Sequence, residues 1–87
     1  NEQDDLVRLK ILLAETWLEA EENGVPVDDR WAPSTRTMRQ ALQLKQNRLI
    51  EMVGELVDEG WLEPPSAPRK PYRITAPKDQ IEEHLSL

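Results

Sequence analysis

Cysteine is absent from this 87-residue chain, and histidine occurs once, as His84. Without thiols the chain can form neither a disulfide scaffold nor a thiolate zinc site, and one imidazole is too little for a transition-metal site. His84 stands among acidic and polar residues and is predicted to lie on the surface. We expect no metal and no cofactor, and the lack of cysteine fits a cytoplasmic protein.

Glycine is also scarce. Only Gly24, Gly54 and Gly60 occur, which excludes a glycine-rich phosphate-binding loop. No group of side chains in the sequence pairs a nucleophile with a general base. A single domain of this length has a modest core and little room for a deep pocket. We therefore expect no enzymatic activity and no catalytic residues.

Long apolar runs are missing as well. The longest run, residues 11–14, is far too short to span a membrane, so no membrane association is expected. The first residues are acidic and lack the basic-then-apolar order of a signal peptide. Because the chain starts with Asn1 rather than Met, we expect a processed chain or a piece of a longer one.

The distribution of charge is more informative than the net charge of −6. An acidic total argues against nucleic-acid binding. However, eight of the eleven basic residues lie in residues 34–50 and 69–78, and neither segment contains an acid. Because the local field matters more to binding than the total charge, these two segments are candidate anion-binding surfaces.

Residues 46–62 have the clearest pattern in the chain. On a helix of 3.6 residues per turn, six apolar residues share one face and polar residues fill the other. Gly60 follows, where a helix ends most easily in the left-handed conformation, and Trp61 resumes in extended form. The apolar face is predicted to consist of Leu49, Ile50, Met52, Val53, Leu56 and Val57.

An earlier helix is predicted at about residues 5–22, with Asp4 or Asp5 as its N-cap. Its apolar arc is wider than one core contact needs. The arc indicates either a helix buried between two neighbours or a surface that binds a second copy of the chain or another protein. The candidate partner face consists of Val7, Ile11, Ala14 and Leu18.

The segment after this helix has no periodicity. Residues 25–27 are predicted to form a short edge strand, since Pro26 lacks a donor for a strand ladder. Trp31 is interpreted as a plug at the edge of the core, with ligand binding or base stacking as the alternative.

A second, short helix is predicted from an N-cap at Ser34 or Thr35 to about residue 42. A tight connection at residues 43–45 joins it to the amphipathic helix. Together they form a helix-turn-helix pattern at about residues 34–59. The inward-facing residues of the short helix are predicted to be Met38, Ala41 and Leu42.

A β-hairpin is predicted at about residues 61–75, because two short apolar segments flank a loop with four prolines in residues 64–71. Trp61, Tyr72 and Ile74 are expected to form the core of the hairpin. A last short helix is predicted at about residues 77–85, with Pro77 in its first turn.

The order of helix, short strand, helix, turn, helix and two-stranded wing resembles a winged helix-turn-helix domain. The most specific part is residues 56–63, LVDEGWLE, followed by residues 69–75, RKPYRIT. These are similar to a signature of bacterial winged-helix regulators such as the PadR and MarR families. The resemblance implies one α+β, mostly helical domain over residues 1–87, with a three-helix core, a hairpin wing and a short C-terminal helix.

The resemblance also implies that the amphipathic helix enters the major groove of double-stranded DNA. The expected role is in transcription or in plasmid, phage or replication control. Base edges would be read by Gln46, Asn47, Arg48 and Glu51. Phosphates would be bound by Arg36, Arg39, Lys45, Arg69, Lys70 and Arg73.

Two other functions fit the same sequence. In one, the domain belongs to a larger assembly, binds a protein partner through its first helix and binds no nucleic acid. In the other, single-stranded DNA or RNA stacks on Trp31, Trp61 or Tyr72. Gly54, on the polar face of the amphipathic helix, either lets a partner approach closely or is simply tolerated there.

Overall fold

The computed structural model describes residues 2–85, with side chains described for residues 4–85. This part of the chain is α+β and mostly helical, as predicted, and its order of elements is compatible with a winged helix. None of its helices is long and apolar enough to cross a membrane. The elements are α1 (Glu2–Glu22), a 3₁₀ turn (Val27–Asp29), α2 (Thr35–Leu42), α3 (Gln46–Asp58), β1 (Leu62–Glu63), β2 (Arg73–Ile74) and α4 (Lys78–Leu85).

Helix α1 begins at Glu2, earlier than predicted. Asp4 and Asp5 therefore lie inside its first turns, and the prediction that one of them is the N-cap is wrong. The residues that α1 buries recur at the spacing of one helical face, which directs that face into the core. They are Leu9, Leu13, Ala14 and Trp17.

Helix α2 begins as predicted, with Ser34 as its N-cap. The Ser34 hydroxyl accepts a hydrogen bond from the Thr37 N–H at 3.1 Å. The helix ends at Leu42, and its C-cap, Gln43, adopts the left-handed conformation (φ 55°, ψ 47°) that a glycine usually supplies. Met38 and Leu42 are buried as predicted, but Ala41 is exposed, so its inward assignment is wrong.

Helix α3 packs Leu49, Met52, Val53 and Leu56 into the core, in agreement with most of the predicted apolar face. Ile50 was placed on the same face, but it is 53% exposed. It lies about 100° around the helix from Leu49, at the edge of the apolar arc, where it lines a hollow with residues of α2.

The extended segment before α2 lies at residues 30–32 rather than at the predicted residues 25–27, part of which forms the 3₁₀ turn. The Ala32 N–H donates to the Tyr72 carbonyl at 2.8 Å, and the Ile74 N–H donates to the Arg30 carbonyl at 2.9 Å. The segment therefore lies beside β2 as a third extended strand, although only Trp31 and Arg73 form a bridge pair there.

Strands β1 and β2 pair antiparallel, with Leu62 opposite Ile74. Trp61 and Ile74 are buried in the core, and Tyr72 is half-buried. Helix α4 packs against α1 through the buried Ile81. His84 was predicted to be a simple surface residue, but it is half-buried, and its ring meets the Trp61 ring edge-on at 5.1 Å.

Candidate nucleic-acid interface

The eleven basic residues of the chain form two groups that differ in their contacts. Each member of the first group lies within 4 Å of a carboxylate. Lys10, for example, meets Glu59 at 2.9 Å, and Lys78 meets Glu21 at 3.8 Å. These side chains are engaged within the fold. The group consists of Arg8, Lys10, Arg30, Arg48, Arg73 and Lys78.

The second group has no ion pair with any described side chain. All of its members are in two short segments, residues 36–45 on α2 and the following turn, and residues 69–70 in the loop of the hairpin. Both segments are parts of the acid-free stretches in the sequence. The group consists of Arg36, Arg39, Lys45, Arg69 and Lys70.

The α2–α3 groove brings together residues that the sequence predicted to contact DNA. Arg36 and Arg39 from α2 and Gln46 from α3 line one hollow of about 210 Å³. Lys45 is the N-cap residue of α3, and its side chain makes no capping hydrogen bond. The first turn of α3 contains no acid, so neither an acid there nor a side-chain cap offsets the positive end of its helix dipole.

The four predicted base-reading residues differ in their freedom. Gln46 and Asn47 are exposed on the first turn of α3. Arg48 is only 20% exposed, and its guanidinium meets Asp5 of α1 at 3.8 Å and Glu51 at 3.7 Å. Arg48 therefore links α3 to α1, and it can reach a base edge only by leaving these carboxylates.

The hairpin loop presents two of its three predicted phosphate-binding residues to solvent. Arg69 has a φ of 68°, and the Lys70 N–H donates to the Ala67 carbonyl at 3.3 Å, which closes a turn at the tip. Arg73 on β2 differs from both. Its guanidinium contacts the carboxylates of Glu63 and Asp28, so much of its charge is neutralised locally.

The predicted partner face on α1 is divided by the fold. Ala14 is fully buried, so it cannot contact a partner. Val7 and Ile11 are 42% and 37% exposed, and Leu18 is half-buried. A hollow of about 330 Å³ lies where α1 meets α4, and its lining consists of Ile11, Glu15, Leu18, Glu19, Glu22, His84 and Leu85.

Arg30, to which no role was assigned from the sequence, is almost fully buried. Its guanidinium lies 4.2 Å from the centre of the Trp17 ring and donates two hydrogen bonds to the Val25 carbonyl. Strand alternation at residues 30–32 directs Arg30 inward and Trp31 outward. A strand predicted at residues 30–32, rather than at residues 25–27, would have indicated a buried Arg30 and an exposed Trp31.

Comparisons of the chain with protein-family models, with curated proteins and with solved structures find no match in any of the three. The winged-helix resemblance and the DNA-binding roles of individual residues therefore stay predictions. A functional assignment has to rest on the charges and contacts described above.

Proposed function

We propose that this chain is a winged helix-turn-helix domain that binds double-stranded DNA. In this proposal α3 enters the major groove while α2 and the hairpin loop contact the backbone on either side. The observation that carries it is the position of the five basic residues without ion pairs. They fall only on the helix-turn-helix and on the tip of the hairpin, the parts of a winged helix that face DNA.

Phosphate contacts supply most of the proposed affinity. Each of the five free cations can neutralise one phosphate and release the counterion condensed there. The N-terminus of α3 adds backbone N–H groups and the positive end of the helix dipole. Binding of this kind is strongly salt-dependent, and it is compatible with the acidic total because all of the acids lie outside the two segments that contain these cations.

Gln46 and Asn47 are the first candidates for base contacts, because their exposed amides can form paired hydrogen bonds with an adenine edge. Arg48 suits a guanine edge, but it has to exchange Asp5 and Glu51 for the base. Glu51 can then accept from a cytosine amino group. A role in transcription or in plasmid, phage or replication control follows from sequence-specific binding of this kind.

A matched pair of double variants tests the proposal. Arg36→Gln with Lys70→Gln removes two free cations, whereas Arg8→Gln with Lys78→Gln removes two paired ones and gives the same net charge. Fluorescence anisotropy with a labelled duplex of about 20 base pairs measures the affinity. We expect the first double variant to lose more than tenfold in affinity and the second to lose less than threefold.

Equal losses in the two double variants would contradict the proposal, because they would mean that only total charge matters. Far-UV circular dichroism of both variants checks that the fold is retained. This control is needed because Arg8 also donates a hydrogen bond to the Leu42 carbonyl at 3.0 Å.

A second candidate function is protein binding through α1, either to a second copy of the chain or to a different protein. The observation that favours it is the exposure of Val7 and Ile11 beside the hollow between α1 and α4. Ile11→Asp should break such a contact and leave DNA binding intact. Analytical ultracentrifugation of the wild type and this variant tests self-association, and a monomeric wild type excludes the homodimer.

A further inference from the structure

Trp31 is 49% exposed, whereas Trp17 and Trp61 are 4% and 2% exposed. A side chain of this size gains more free energy from burial than almost any other. Tryptophan is enriched at binding interfaces, so the half-exposed indole of Trp31 is a candidate contact for a ligand. The interpretation of Trp31 as a plug at the edge of the core is therefore wrong, which leaves its alternative, a ligand or stacking role.

The backbone holds the Trp31 side chain outward. Hydrogen bonds from Ala32 to Tyr72 and from Ile74 to Arg30 keep residues 30–32 extended beside β2. Side chains alternate along an extended segment, so buried Arg30 and Ala32 on either side direct Trp31 to the opposite face. The exposed position is set by the strand and does not depend on a side-chain rotation.

The Trp31 ring lines a hollow of about 480 Å³ between the extended segment and the hairpin loop. This volume is within the range of small-ligand sites. Three prolines supply apolar walls, and Lys70 supplies a cation without an ion pair to a described residue. Arg73 also lines the hollow, but Glu63 and Asp28 hold its guanidinium. The full lining is Trp31, Glu63, Pro64, Pro65, Ser66, Lys70, Pro71 and Arg73.

We infer that this hollow binds an unpaired nucleobase, which stacks on Trp31 while Lys70 contacts the adjacent phosphate. A flat apolar ring attached to an anionic backbone matches an exposed indole next to a single free cation. Bases inside a duplex are stacked on each other and cannot present a face to the indole. The ligand is therefore single-stranded DNA at an end, gap or opened region beside the bound duplex.

This inference rests on the proposed function, because it names a feature of the DNA that the domain binds. It predicts that the domain prefers a duplex with a single-stranded overhang to a blunt duplex. A proline-rich peptide is the other ligand that an exposed tryptophan can take. Binding of such a peptide, however, does not require the cation of Lys70. A site specific for the peptide should not bind an oligonucleotide of random sequence.

Intrinsic fluorescence gives a direct measurement, because Trp31 is much more exposed than the other two tryptophans. A short oligothymidylate should quench the emission of the wild type and protect the exposed component from acrylamide. Trp31→Phe should abolish the quenching, since the remaining tryptophans are buried. Quenching by a proline-rich peptide, with none by oligothymidylate, would overturn the inference.

Affinity is measured by anisotropy with two labelled duplexes, one blunt and one with an overhang of about four thymidines. The wild type should bind the overhang duplex about tenfold more tightly. Trp31→Ala should bind both duplexes equally, with the blunt affinity unchanged, while Trp31→Phe keeps most of the preference. Val27→Ala, which trims another exposed apolar side chain in the same loop, is the matched control and should keep all of it.

Failure of the stacking site and failure of the proposed duplex binding give different results. If the blunt duplex binds and the overhang adds nothing, or if Trp31→Ala keeps the overhang preference, the stacking site is wrong and the proposed function stands. If the blunt duplex does not bind while oligothymidylate still quenches Trp31, the site stands and duplex binding is wrong. Thermal unfolding of Trp31→Ala should match that of the wild type, because the exposed indole contributes little to the core.

Discussion

The basic residues around α1 are chemically like those on α2, the following turn and the hairpin tip, but the two sets make different contacts. Around α1, Arg8, Lys10 and Arg30 each meet a carboxylate, and two of them also lie near an indole ring. On α2, in the turn that follows it and at the hairpin tip, five cations have no such partner among the described residues. The comparison indicates that cations of the first region hold the fold together and those of the second can bind an external anion.

The largest expected effect is on stability, at the most deeply buried cation. Arg30→Ala removes two hydrogen bonds to the Val25 carbonyl and the contact with the Trp17 ring, and it leaves a cavity. We expect the free energy of unfolding to fall by about 2–4 kcal/mol in urea denaturation. Arg36→Ala should change it by less than about 0.5 kcal/mol. Similar losses in both variants would remove the distinction between the two regions.

The next effect is on DNA affinity, at a single free cation. Lys45→Ala removes one proposed phosphate contact and should weaken binding about eightfold at 0.1 M salt, or about 1.2 kcal/mol. Lys78→Ala removes an exposed lysine that is paired with Glu21, and it should have almost no effect. Anisotropy titrations of the two variants against one duplex measure the difference, and a larger loss for Lys78→Ala would reverse the comparison.

Gly54→Ala tests how closely DNA approaches the middle of α3. A methyl group at this position meets no atom within 4 Å, so it should only improve helix propensity. The free energy of unfolding should rise by about 0.8–1 kcal/mol in urea denaturation, with DNA affinity unchanged. If affinity falls although stability rises, DNA lies against this part of the helix and the contact surface extends beyond the free cations.

The smallest effect comes from removing one carboxylate partner of a paired cation. Asp5→Asn removes the Asp5 carboxylate beside Arg48 and leaves Glu51 in place, whereas Glu59→Gln removes the partner of Lys10 at the same cost in charge. We expect Asp5→Asn to strengthen DNA binding about twofold more than Glu59→Gln, because only Arg48 lies on the helix proposed to read DNA. Equal affinities of the two variants would assign Arg48 to the fold alone.

Much of the fold could be predicted from the sequence, because the signals are local. Residues within one or two helical turns are enough to recognise each of them. Examples are the Ser34 cap, the apolar spacing of α3 and the glycine that follows α3. Ile50 and Ala41 were misplaced because the width of a helix face depends on which neighbours cover it. A periodicity carries no information about those neighbours.

The candidate site was harder to predict, because ion pairing is a property of the folded chain. Arg48 and Arg73 stand in acid-free stretches of sequence, yet their partners Asp5 and Asp28 come from distant positions. The prediction for Trp31 was wrong for a similar reason. The direction of its side chain depends on backbone hydrogen bonds between residues 30–32 and Tyr72 and Ile74, some forty residues later. Contacts of this kind leave no periodic trace in one sequence.

The most direct test of the central claim is the salt dependence of duplex binding by the unmodified chain. Five free cations that each neutralise one phosphate predict a slope of about −4.5 for the logarithm of the association constant against the logarithm of salt concentration. Between about 0.05 and 0.2 M salt, affinity should fall several-hundred-fold. A slope near zero, or no duplex binding at the lower salt concentration, would contradict the claim that these five residues form a DNA-binding surface.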